Sequence, residues 1–439
     1  MSAAERRVAF RNWAGTATAQ PQAWLRPSSE AEIAAMLIRA QREGRRVKVV
    51  GAGHSWSDIA CSDGYLLQLD AMQRVLRVDH ARQQITVQAG IRLHHLIAAM
   101  AQHGMTLPVI GSVTQQSLAG AIATGTHGSA PGLGCLSSRV VALRLVLADG
   151  SVVSASVDHS PDLLHAAQVH IGALGVLSEV TLATVPAFRL REQHSVLPFD
   201  EVLATLPQIV DSAPYVKLWW LPHVDSILVA RCHPTTQPSD LSPAAQWLDE
   251  KIVNRWLFSA VLRLSSLHPA GIPAVNRIVA AAYFRPRLRH GPNTAILPVP
   301  MPPRHEETEY SLPREQAAAA LASLRTLIER RGLRVNFPAE LRFVAGDDAW
   351  LSPMSGRDSA CLGAYIGPDM GQDQRAYFAA FEEAMTAQQA RPHWGKQFSV
   401  GKDYLRRVYP GFDRFVALRD TLDPQRLFHN DFLRRTLGD

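Results

Sequence analysis

The 439-residue sequence has few cysteines, and none of them lie close together in the chain. The four are Cys61, Cys135, Cys232 and Cys361. Their wide spacing argues against both a disulfide framework and a structural zinc site. A reducing, cytoplasmic location therefore fits this composition best.

Long apolar runs and blocks of basic residues are also absent. No stretch reaches the roughly 18 uninterrupted apolar residues of a membrane-spanning helix, and residues 1–13 lack the apolar core of a secretory signal. The net charge of +6 comes from 45 scattered basic and 39 acidic residues, which argues against nucleic-acid binding. At this length, with 47% hydrophobic residues, the chain fits a globular protein of two or three domains.

Residues 256–284 come nearest to a long apolar segment. Arg263, His268, Pro269, Pro273 and Arg277 interrupt the segment. The first interpretation is a buried or amphipathic helical pair, and a face lying on a membrane surface is the alternative. The sequence therefore leaves peripheral membrane association open.

Hydrophobic periodicity predicts an α+β fold. Helix 29–43 opens with Ser29-Glu30-Ala31-Glu32, a capping-box pattern. The other predicted helices are 93–103, 162–169, 314–331, 378–389 and 404–409. The predicted strands are 46–50, 65–69, 75–78, 84–89, 140–147, 152–157, 175–185, 307–312, 334–344 and 361–366, with proline-rich loops at 233–243 and 293–303.

A glycine-rich loop directly follows the predicted strand at 46–50. It reads Val50-Gly51-Ala52-Gly53-His54-Ser55. Such a loop can turn tightly and expose N–H groups to a phosphate. The Rossmann dinucleotide pattern requires a third glycine, where this chain has Trp56, so that interpretation is disfavoured. A bare phosphate cradle does not explain the histidine.

A second cluster of small residues covers 111–129. Such a stretch can lie flat against a planar ligand and bond to phosphate oxygens, although tight packing of a strand and loop is the alternative. The candidate cofactor-binding residues here are Gly111, Ser112, Ser117, Gly120, Ala121, Thr124, Thr126, His127 and Gly128.

Two later motifs carry charge. Glu340 and Arg342 stand two apart in a predicted strand, so both side chains emerge on one face and can clamp a hydroxyl-rich substrate. His393-Trp394-Gly395-Lys396 places a cation where it can stabilise an anionic reduced flavin. A surface ion pair and a solvated loop are the respective alternatives.

Taken in order, these motifs resemble the aldonolactone oxidase group of the vanillyl-alcohol-oxidase flavoprotein family. The matching segments are Gly53-His54-Ser55, Ser117-Leu118-Ala119-Gly120, Gly125-Thr126-His127-Gly128, Glu340-x-Arg342, Trp350-Leu351-Ser352-Pro353 and His393-Trp394-Gly395-Lys396. The resemblance covers nearly the whole chain.

The resemblance implies a PCMH-type FAD-binding domain of two subdomains at 1–190. It also implies a cap or substrate domain with an antiparallel sheet at 191–390, and a C-terminal segment at 391–439 that returns to the FAD side. His54 would be bonded to the flavin 8α-methyl group, and Val176 would join the cofactor site. Ser112, Glu340, Arg342 and Lys396 would line the substrate side, with His393 as a further catalytic candidate and no metal.

The activity implied is FAD-dependent oxidation of a sugar-acid lactone at the hydroxyl next to the carbonyl, with oxygen giving hydrogen peroxide. Gly111 would leave oxygen a path to the flavin. Tyr365 stands where alditol oxidases have threonine, which argues against a plain alditol pocket. An alditol oxidase, a dehydrogenase with another acceptor, and a non-catalytic binding protein are the alternatives, and the proton acceptor is left open between Glu340, His393 and water.

Overall fold

The computed structural model describes residues 8–439, and its first half is built on two small sheets. One sheet is parallel, in the order β3-β5-β4, and the other is antiparallel, in the order β10-β9-β11-β7-β6. The strands are β1 Phe10–Arg11, β2 Thr18–Ala19, β3 Ala23–Leu25, β4 Val47–Val50, β5 Tyr65–Gln68, β6 Val75–Asp79, β7 Gln84–Gln88, β8 Met105–Thr106, β9 Val140–Val146, β10 Val152–Ser156, β11 Val176–Ala183 and β12 Val185–Pro186. The helices are α1 Glu30–Arg42, α2 Leu93–Gln102, α3 Leu118–Ala123 and α4 Pro161–Ala167.

The second half is built on one antiparallel sheet, in the order β16-β13-β15-β14-β18-β19-β17-β20. Its strands are β13 Arg189–Pro198, β14 Tyr215–Trp220, β15 Ser226–Thr235, β16 Arg287–Pro292, β17 Glu306–Pro313, β18 Ala339–Val344, β19 Ser359–Ile366 and β20 Arg391–Pro392. The helices are α5 Phe199–Asp211, α6 Pro243–Leu248, α7 Phe258–Leu267, α8 Ile272–Tyr283, α9 Asn293–Ile296, α10 Ala317–Arg330 and α11 Gln372–Ala387, followed by α12 Lys402–Val408, α13 Phe412–Leu422 and α14 Asp431–Leu437. A π-helical segment, Asp249–Leu257, joins α6 to α7.

Two hydrophobic cores hold these sheets. The larger core combines side chains from residues 23–182 with Trp394 and with side chains of α12, α13 and α14. The second core lies within residues 199–390, between the large sheet and helices α5, α10 and α11. The last 46 residues therefore pack against the first half of the chain, although they follow the second half in sequence.

The α+β class is confirmed, and so are most predicted elements. Helix α1 has Ser29 as its N-cap, and the Ser29 side chain accepts a hydrogen bond from the Glu32 amide at 3.2 Å. Strands β6 and β7 pair antiparallel, as the predicted hairpin requires. Residues 256–284 do form a helical pair, α7 and α8, which buries Leu262 and Ile272 on one side.

Two predicted bounds are wrong by five and six residues, and the loop predicted at 293–303 is wrong at its start, where Asn293–Ile296 form the short helix α9. The strand predicted at 334–344 begins only at Ala339, because Pro338 cannot donate to a ladder and the Asn336 side chain bonds elsewhere. The helix predicted at 378–389 begins six residues earlier, at Gln372, directly after Gly371 in the left-handed region (φ +56°). Its first turns are polar, so hydrophobic periodicity did not reveal them.

No helix within residues 8–439 is long and apolar enough to cross a bilayer.

Candidate active site

The large sheet carries a buried ion-pair network on one face. Glu340 and Arg342 lie on β18, with the Arg342 Nε 3.4 Å from a Glu340 oxygen, and both side chains are buried. Arg342 also pairs with Glu309, which lies on β17. Burial by itself raises the pKa of Glu309, but Arg342 and His127 hold it well below its usual range. The network is therefore ionised at neutral pH.

Strand β17 supplies two acids that sequence reasoning missed. Glu307 and Glu309 stand two apart, so they share a face. Glu309 accepts a hydrogen bond from His127 Nε2 at 2.8 Å, and Glu307 pairs with Lys396. Two alternating acids in a predicted strand were the available signal, because buried carboxylates require partners.

A third acid, Glu340, has partners on the two strands that flank β18. Lys217 on β14 lies 3.5 Å from one Glu340 oxygen, and the Tyr365 hydroxyl on β19 donates to the other at 3.0 Å. Lys217 also donates to the Ser112 hydroxyl at 3.3 Å. Sequence reasoning did not single out Lys217, because its neighbourhood depends on the non-local pairing of β14 with β18.

The loop that follows strand β20 contributes His393 and Lys396. Trp394 is fully buried in the larger core and donates to the Leu351 carbonyl at 2.6 Å, which fixes the loop. The Lys396 ammonium lies 4.0 Å from the centre of the Trp56 ring. His393 Nδ1 accepts from the Gly395 amide at 3.0 Å, and burial lowers the pKa of His393 to about 3. The neutral ring therefore carries its proton on Nε2 and faces its surroundings as a donor.

We call the space in front of this network the charged pocket. It is lined by Trp13, His54, Ser55, Trp56, Ser112, Val113, Gln116, Thr124, Thr126, His127, Trp219, Val299, Met301, Pro302, His305, Glu307, Phe337, Pro338, Glu340, Arg342, Tyr365, His393, Gly395 and Lys396. Phe337 and Tyr365 stack at 5.8 Å and form a flat aromatic wall.

Two polar atoms of the charged pocket have no hydrogen-bond partner among the described residues. They are the Arg342 Nε, a donor, and one oxygen of Glu307, an acceptor. His127, Glu309 and His393 bring three metal-type ligand atoms within 4.8 Å of one another. The carboxylate of Glu309 is already paired with Arg342 and His127, however, so we interpret this cluster as a hydrogen-bonded network and not as a metal site. The expectation of no metal stays a prediction.

A second space, the glycine-rich cavity, lies behind the first. Its lining includes Val50, Gly51, Ala52, Gly53, His54, Ser55, Ser117, Gly120, Ala121 and Thr124, together with Lys48, Gln116, His170, Gly172, Gly175 and Leu177. His54, Ser55, Gln116 and Thr124 line both spaces. One elongated ligand could therefore occupy both, passing His54.

The structure brings together most of the predicted site residues. Gly111, Gly128 and Val176 line neither space; Val176 is buried between Gly175 and Leu177, which do line the glycine-rich cavity. Lys48 and His170 belong to this cavity and were missed, since a lysine in a predicted strand has no distinctive pattern.

Comparison with known proteins decides the family. The D-arabinono-1,4-lactone oxidase family model matches residues 180–436, and the FAD binding domain model matches residues 21–156. The chain belongs to the D-arabinono-1,4-lactone oxidase family. It is an FAD-dependent oxidoreductase acting on CH–OH groups.

Full-length relatives agree with this family. The chain is 37% identical to an L-gulono-1,4-lactone dehydrogenase of Mycobacterium tuberculosis, over 97% of this chain and 98% of the relative. It is 34% identical to the L-gulonolactone oxidase of Bos taurus, over 98% of both chains. A crystal structure of cholesterol oxidase from B. sterolicum superposes with a TM-score of 0.83 at 16% identity, over 98% of this chain and 96% of that one. That likeness shows the fold, which is PCMH-type as expected.

The glycine-rich cavity fits FAD on its own chemistry. A Cβ on Gly51 would stand 1.9 Å from the Ser117 hydroxyl oxygen, so only glycine leaves the backbone free there. The Ser117 hydroxyl and both His170 ring nitrogens are buried and have no hydrogen-bond partner within residues 8–439. Buried polar groups of this kind call for a ligand with hydrogen-bonding atoms of its own, as the dinucleotide has.

Proposed function

We propose that this enzyme oxidises an aldono-1,4-lactone, such as an L-gulono- or D-arabinono-lactone, at the hydroxyl next to the carbonyl. The observation that carries the proposal is the balance of charge in the charged pocket, where each buried carboxylate faces a cation. Among the described residues, one buried donor and one buried acceptor of the pocket have no hydrogen-bond partner, although the donor, Arg342 Nε, lies 3.4 Å from a Glu340 oxygen. A neutral polyhydroxylated substrate suits such a pocket, because it adds hydrogen bonds without adding charge. The names of the relatives support the lactone class.

The aromatic wall supports a ring-shaped substrate over an open-chain alditol. Phe337 and Tyr365 are stacked, with 15° between their planes, and both rings line the charged pocket. The Tyr365 hydroxyl is held by Glu340, which fixes this wall beside the polar groups. A lactone has a flat face that can lie on the aromatic rings and an oxygen-rich edge that can bond to the polar groups beside them.

We propose the following roles within the pocket. Arg342 and Lys396 bind and polarise the substrate oxygen, with Ser112 as a further contact. Glu340 orients the reacting hydroxyl and takes its proton; a carboxylate has about four lone-pair sites, so its three partners leave capacity. His393 holds its proton on Nε2, which removes it from the candidate bases.

We also propose that FAD is held by the glycine-rich cavity and bonded covalently to His54. FAD bound there would supply a two-electron acceptor for the substrate carbon, with oxygen as the final acceptor and hydrogen peroxide as its product. Burial, followed by the charges of Arg92 and Lys396, lowers the pKa of His54 to about 4, so the ring is neutral and nucleophilic at pH 7. We further propose a division into an FAD domain at 1–190, a substrate domain at 191–390 and a segment at 391–439 that returns to the first. The FAD binding domain model at 21–156 supports the first domain, and the packing of Trp394 and the last helices in the larger core supports the return.

A substrate panel tests the proposal. Under anaerobic conditions, L-gulonolactone or D-arabinonolactone should bleach the flavin within seconds, and xylitol should not. Bleaching by xylitol alone would overturn the lactone assignment in favour of an alditol oxidase. The matched variants Glu340→Gln and Glu307→Gln separate the proton acceptor: we expect a loss of about 10²–10⁴-fold in kcat for the first only.

Oxygen as the acceptor needs its own test. Gly111 lines neither cavity, but an added Cβ there would meet the Thr126 methyl group at 2.9 Å and would push Thr126, which does line the charged pocket, toward the path that oxygen would take. Reoxidation of the bleached enzyme by oxygen should slow by about tenfold in Gly111→Ala, while reduction by substrate stays unchanged. Gly111→Ala combined with Thr126→Ser removes the clash and serves as the control. Wild-type reoxidation no faster than that of free flavin would make the enzyme a dehydrogenase.

A further inference from the structure

Glu307 is a buried acid of the charged pocket to which the roles proposed above assign no task. It lies on β17, it is 2% exposed, and it lines the pocket together with Lys396 and Tyr365. Burial raises the pKa of Glu307, but the Lys396 ammonium outweighs burial and brings the pKa to about 2, so the side chain is a carboxylate at neutral pH. A buried charge is costly unless it is paired and hydrogen-bonded, so each oxygen of Glu307 calls for a donor.

The Lys396 ammonium and the His305 ring approach the same oxygen of Glu307. Lys396 pairs with Oε2, and the His305 Nε2 lies 3.9 Å from that oxygen. His305 bonds the Pro303 carbonyl through Nδ1 at 2.8 Å, and because a carbonyl only accepts, the neutral His305 ring carries its proton on Nδ1. The other oxygen, Oε1, is buried without a hydrogen-bond partner in residues 8–439.

Donors on the aromatic side chains near Glu307 are already used. The Tyr365 hydroxyl donates to Glu340 at 3.0 Å, and the Trp56 ring N–H donates to the His305 carbonyl at 2.9 Å. The His305 ring itself packs 4.8 Å from the Phe337 ring and 5.5 Å from the Tyr365 ring, measured between ring centres. A molecule that enters the pocket can therefore supply the donor that Oε1 lacks.

The position of Glu307 in the sheet separates it from the acid proposed to take the proton. Strand β19 lies between them, with Glu307 opposite Tyr365 on one side and Glu340 opposite Gly363 on the other. Two strand spacings of about 4.8 Å and two residues along a strand place the α-carbons of the two acids roughly 12 Å apart. A substrate hydroxyl bonded to Glu307 is therefore remote from the hydroxyl that reacts at Glu340. In an aldono-1,4-lactone, the remote hydroxyls are those of the exocyclic chain.

We propose that Glu307 determines substrate specificity by accepting a hydrogen bond from a hydroxyl of the lactone's exocyclic chain. This inference rests on the proposed function, because it requires a lactone in the charged pocket, and it adds which part of the lactone is recognised. A carboxylate only accepts, so the group that it selects is a neutral donor. A lactone without that hydroxyl leaves a buried charged oxygen unpaired, and the site discriminates against it.

Two analogues of L-gulonolactone test the proposal on the flavin-loaded wild-type enzyme. The first analogue lacks both exocyclic hydroxyls and keeps the ring intact, whereas the second lacks the ring hydroxyl that does not react. We expect kcat/KM for the first to fall by about 10–100-fold relative to L-gulonolactone, because a hydrogen bond to a charged group is lost. The loss should fall on KM, since this contact is remote from the reacting carbon and is present before the chemical step.

Glu307→Leu in the same assay isolates the contact. It should lower kcat/KM for L-gulonolactone by about 10–100-fold and abolish the difference between L-gulonolactone and the first analogue. A displaced Lys396 would slow both lactones equally, so the ratio between them separates specificity from general damage. Glu307→Gln keeps a neutral acceptor and should retain part of the preference. Glu306→Leu is the matched control, because the Glu306 side chain bonds Gln397 on the opposite face of β17, and it should keep the wild-type ratio.

The outcomes distinguish this inference from the proposed function. Equal kcat/KM for L-gulonolactone and the first analogue in the wild type, or a preference that survives in Glu307→Leu, would overturn the inference and leave lactone oxidation standing. A preference that Glu307→Leu removes only for the second analogue would assign Glu307 to a ring hydroxyl and would also overturn it. Failure of every lactone to bleach the flavin would overturn the proposed function, and this inference with it.

Discussion

The two cavities that meet at His54 differ in their electrostatics: one is lined mainly by neutral polar groups and the other by paired charges. In the described part of the chain, the glycine-rich cavity has neutral polar groups without hydrogen-bond partners at Ser117 and His170, and its buried amine, Lys48, donates to the Gly172 carbonyl at 3.1 Å. The charged pocket has a denser set of charges, yet each acid faces a base. The first cavity is incomplete without a polar ligand. In the second, the acids are paired with bases, and among the described residues its fully buried atoms without a hydrogen-bond partner are the Arg342 Nε and one Glu307 oxygen. The contrast fits two different tasks: the glycine-rich cavity suits a cofactor that stays bound, and the charged pocket suits a substrate that is exchanged at each turnover.

The largest expected effect lies at the junction of the two cavities. Replacing His54 by Ala should release the flavin from the protein: acid precipitation should leave the yellow colour in the supernatant, whereas wild-type enzyme should carry it into the pellet. His127→Ala is a suitable control, because that histidine bonds Glu309 and lines only the charged pocket. Colour in the wild-type supernatant would show that His54 is not the tether.

Breaking the balance of the charged pocket should cost both activity and stability. Arg342→Met leaves Glu309 and Glu340 buried with one cation fewer, so we expect a loss of about 10³-fold in kcat/KM and about 3–5 kcal/mol in the free energy of unfolding. Arg342→Lys keeps the positive charge, so its kcat/KM and its free energy of unfolding should lie between those of the wild type and those of Arg342→Met. Chemical denaturation and steady-state kinetics measure both quantities. Unchanged stability in the Met variant would mean that the pocket's charges are not mutually dependent.

The pairing of Glu307 with Lys396 should appear as a pH dependence. Burial raises the pKa of Glu307, but Lys396 outweighs it and the pKa falls to about 2. A lowered pKa in the folded state gives stability that is present above about pH 4.5 and is lost as the pH falls toward 2. Lys396→Met should therefore cost about 3 kcal/mol at pH 7 and much less at pH 3, measured by urea unfolding. Lys402→Met, at an exposed lysine, should show no such dependence; an equal cost at both pH values would refute the pairing.

The smallest effect is expected at the far end of the glycine-rich cavity. Lys48 lies three residues before Gly51 on β4, about 10 Å along the strand, and burial lowers the pKa of its amine to about 7. In a His54→Ala background, Lys48→Met should weaken FAD binding by about tenfold and leave FMN binding unchanged, since FMN lacks the adenosine that would reach this far. Fluorescence titration of apoprotein with each flavin measures this. An equal loss of affinity for FAD and FMN would show that Lys48 supports the fold in general and does not contact the adenosine part of FAD.

Local patterns predicted the elements well, and non-local contacts set the limit of prediction for the site. The capping box at Ser29 and the pairing of Glu340 with Arg342 depend on residues close in sequence, so they could be read directly. Glu307, Glu309 and Lys217 enter the site through the register of β14, β17, β18 and β19, and no short sequence window encodes that register. Similarly, the start of β18 depends on Asn336 bonding a residue 71 positions away.

The buried anchor at Trp394 has a consequence for the order in which the enzyme is made. Lys396, the partner of Glu307, follows it in sequence and comes after the other strands of the large sheet, and its loop is fixed by packing against the first half of the chain. A nascent chain can thus complete most of the large sheet while Glu307 still lacks its cation. The charged pocket is therefore completed only after both the cofactor-binding half and the sheet have been synthesised.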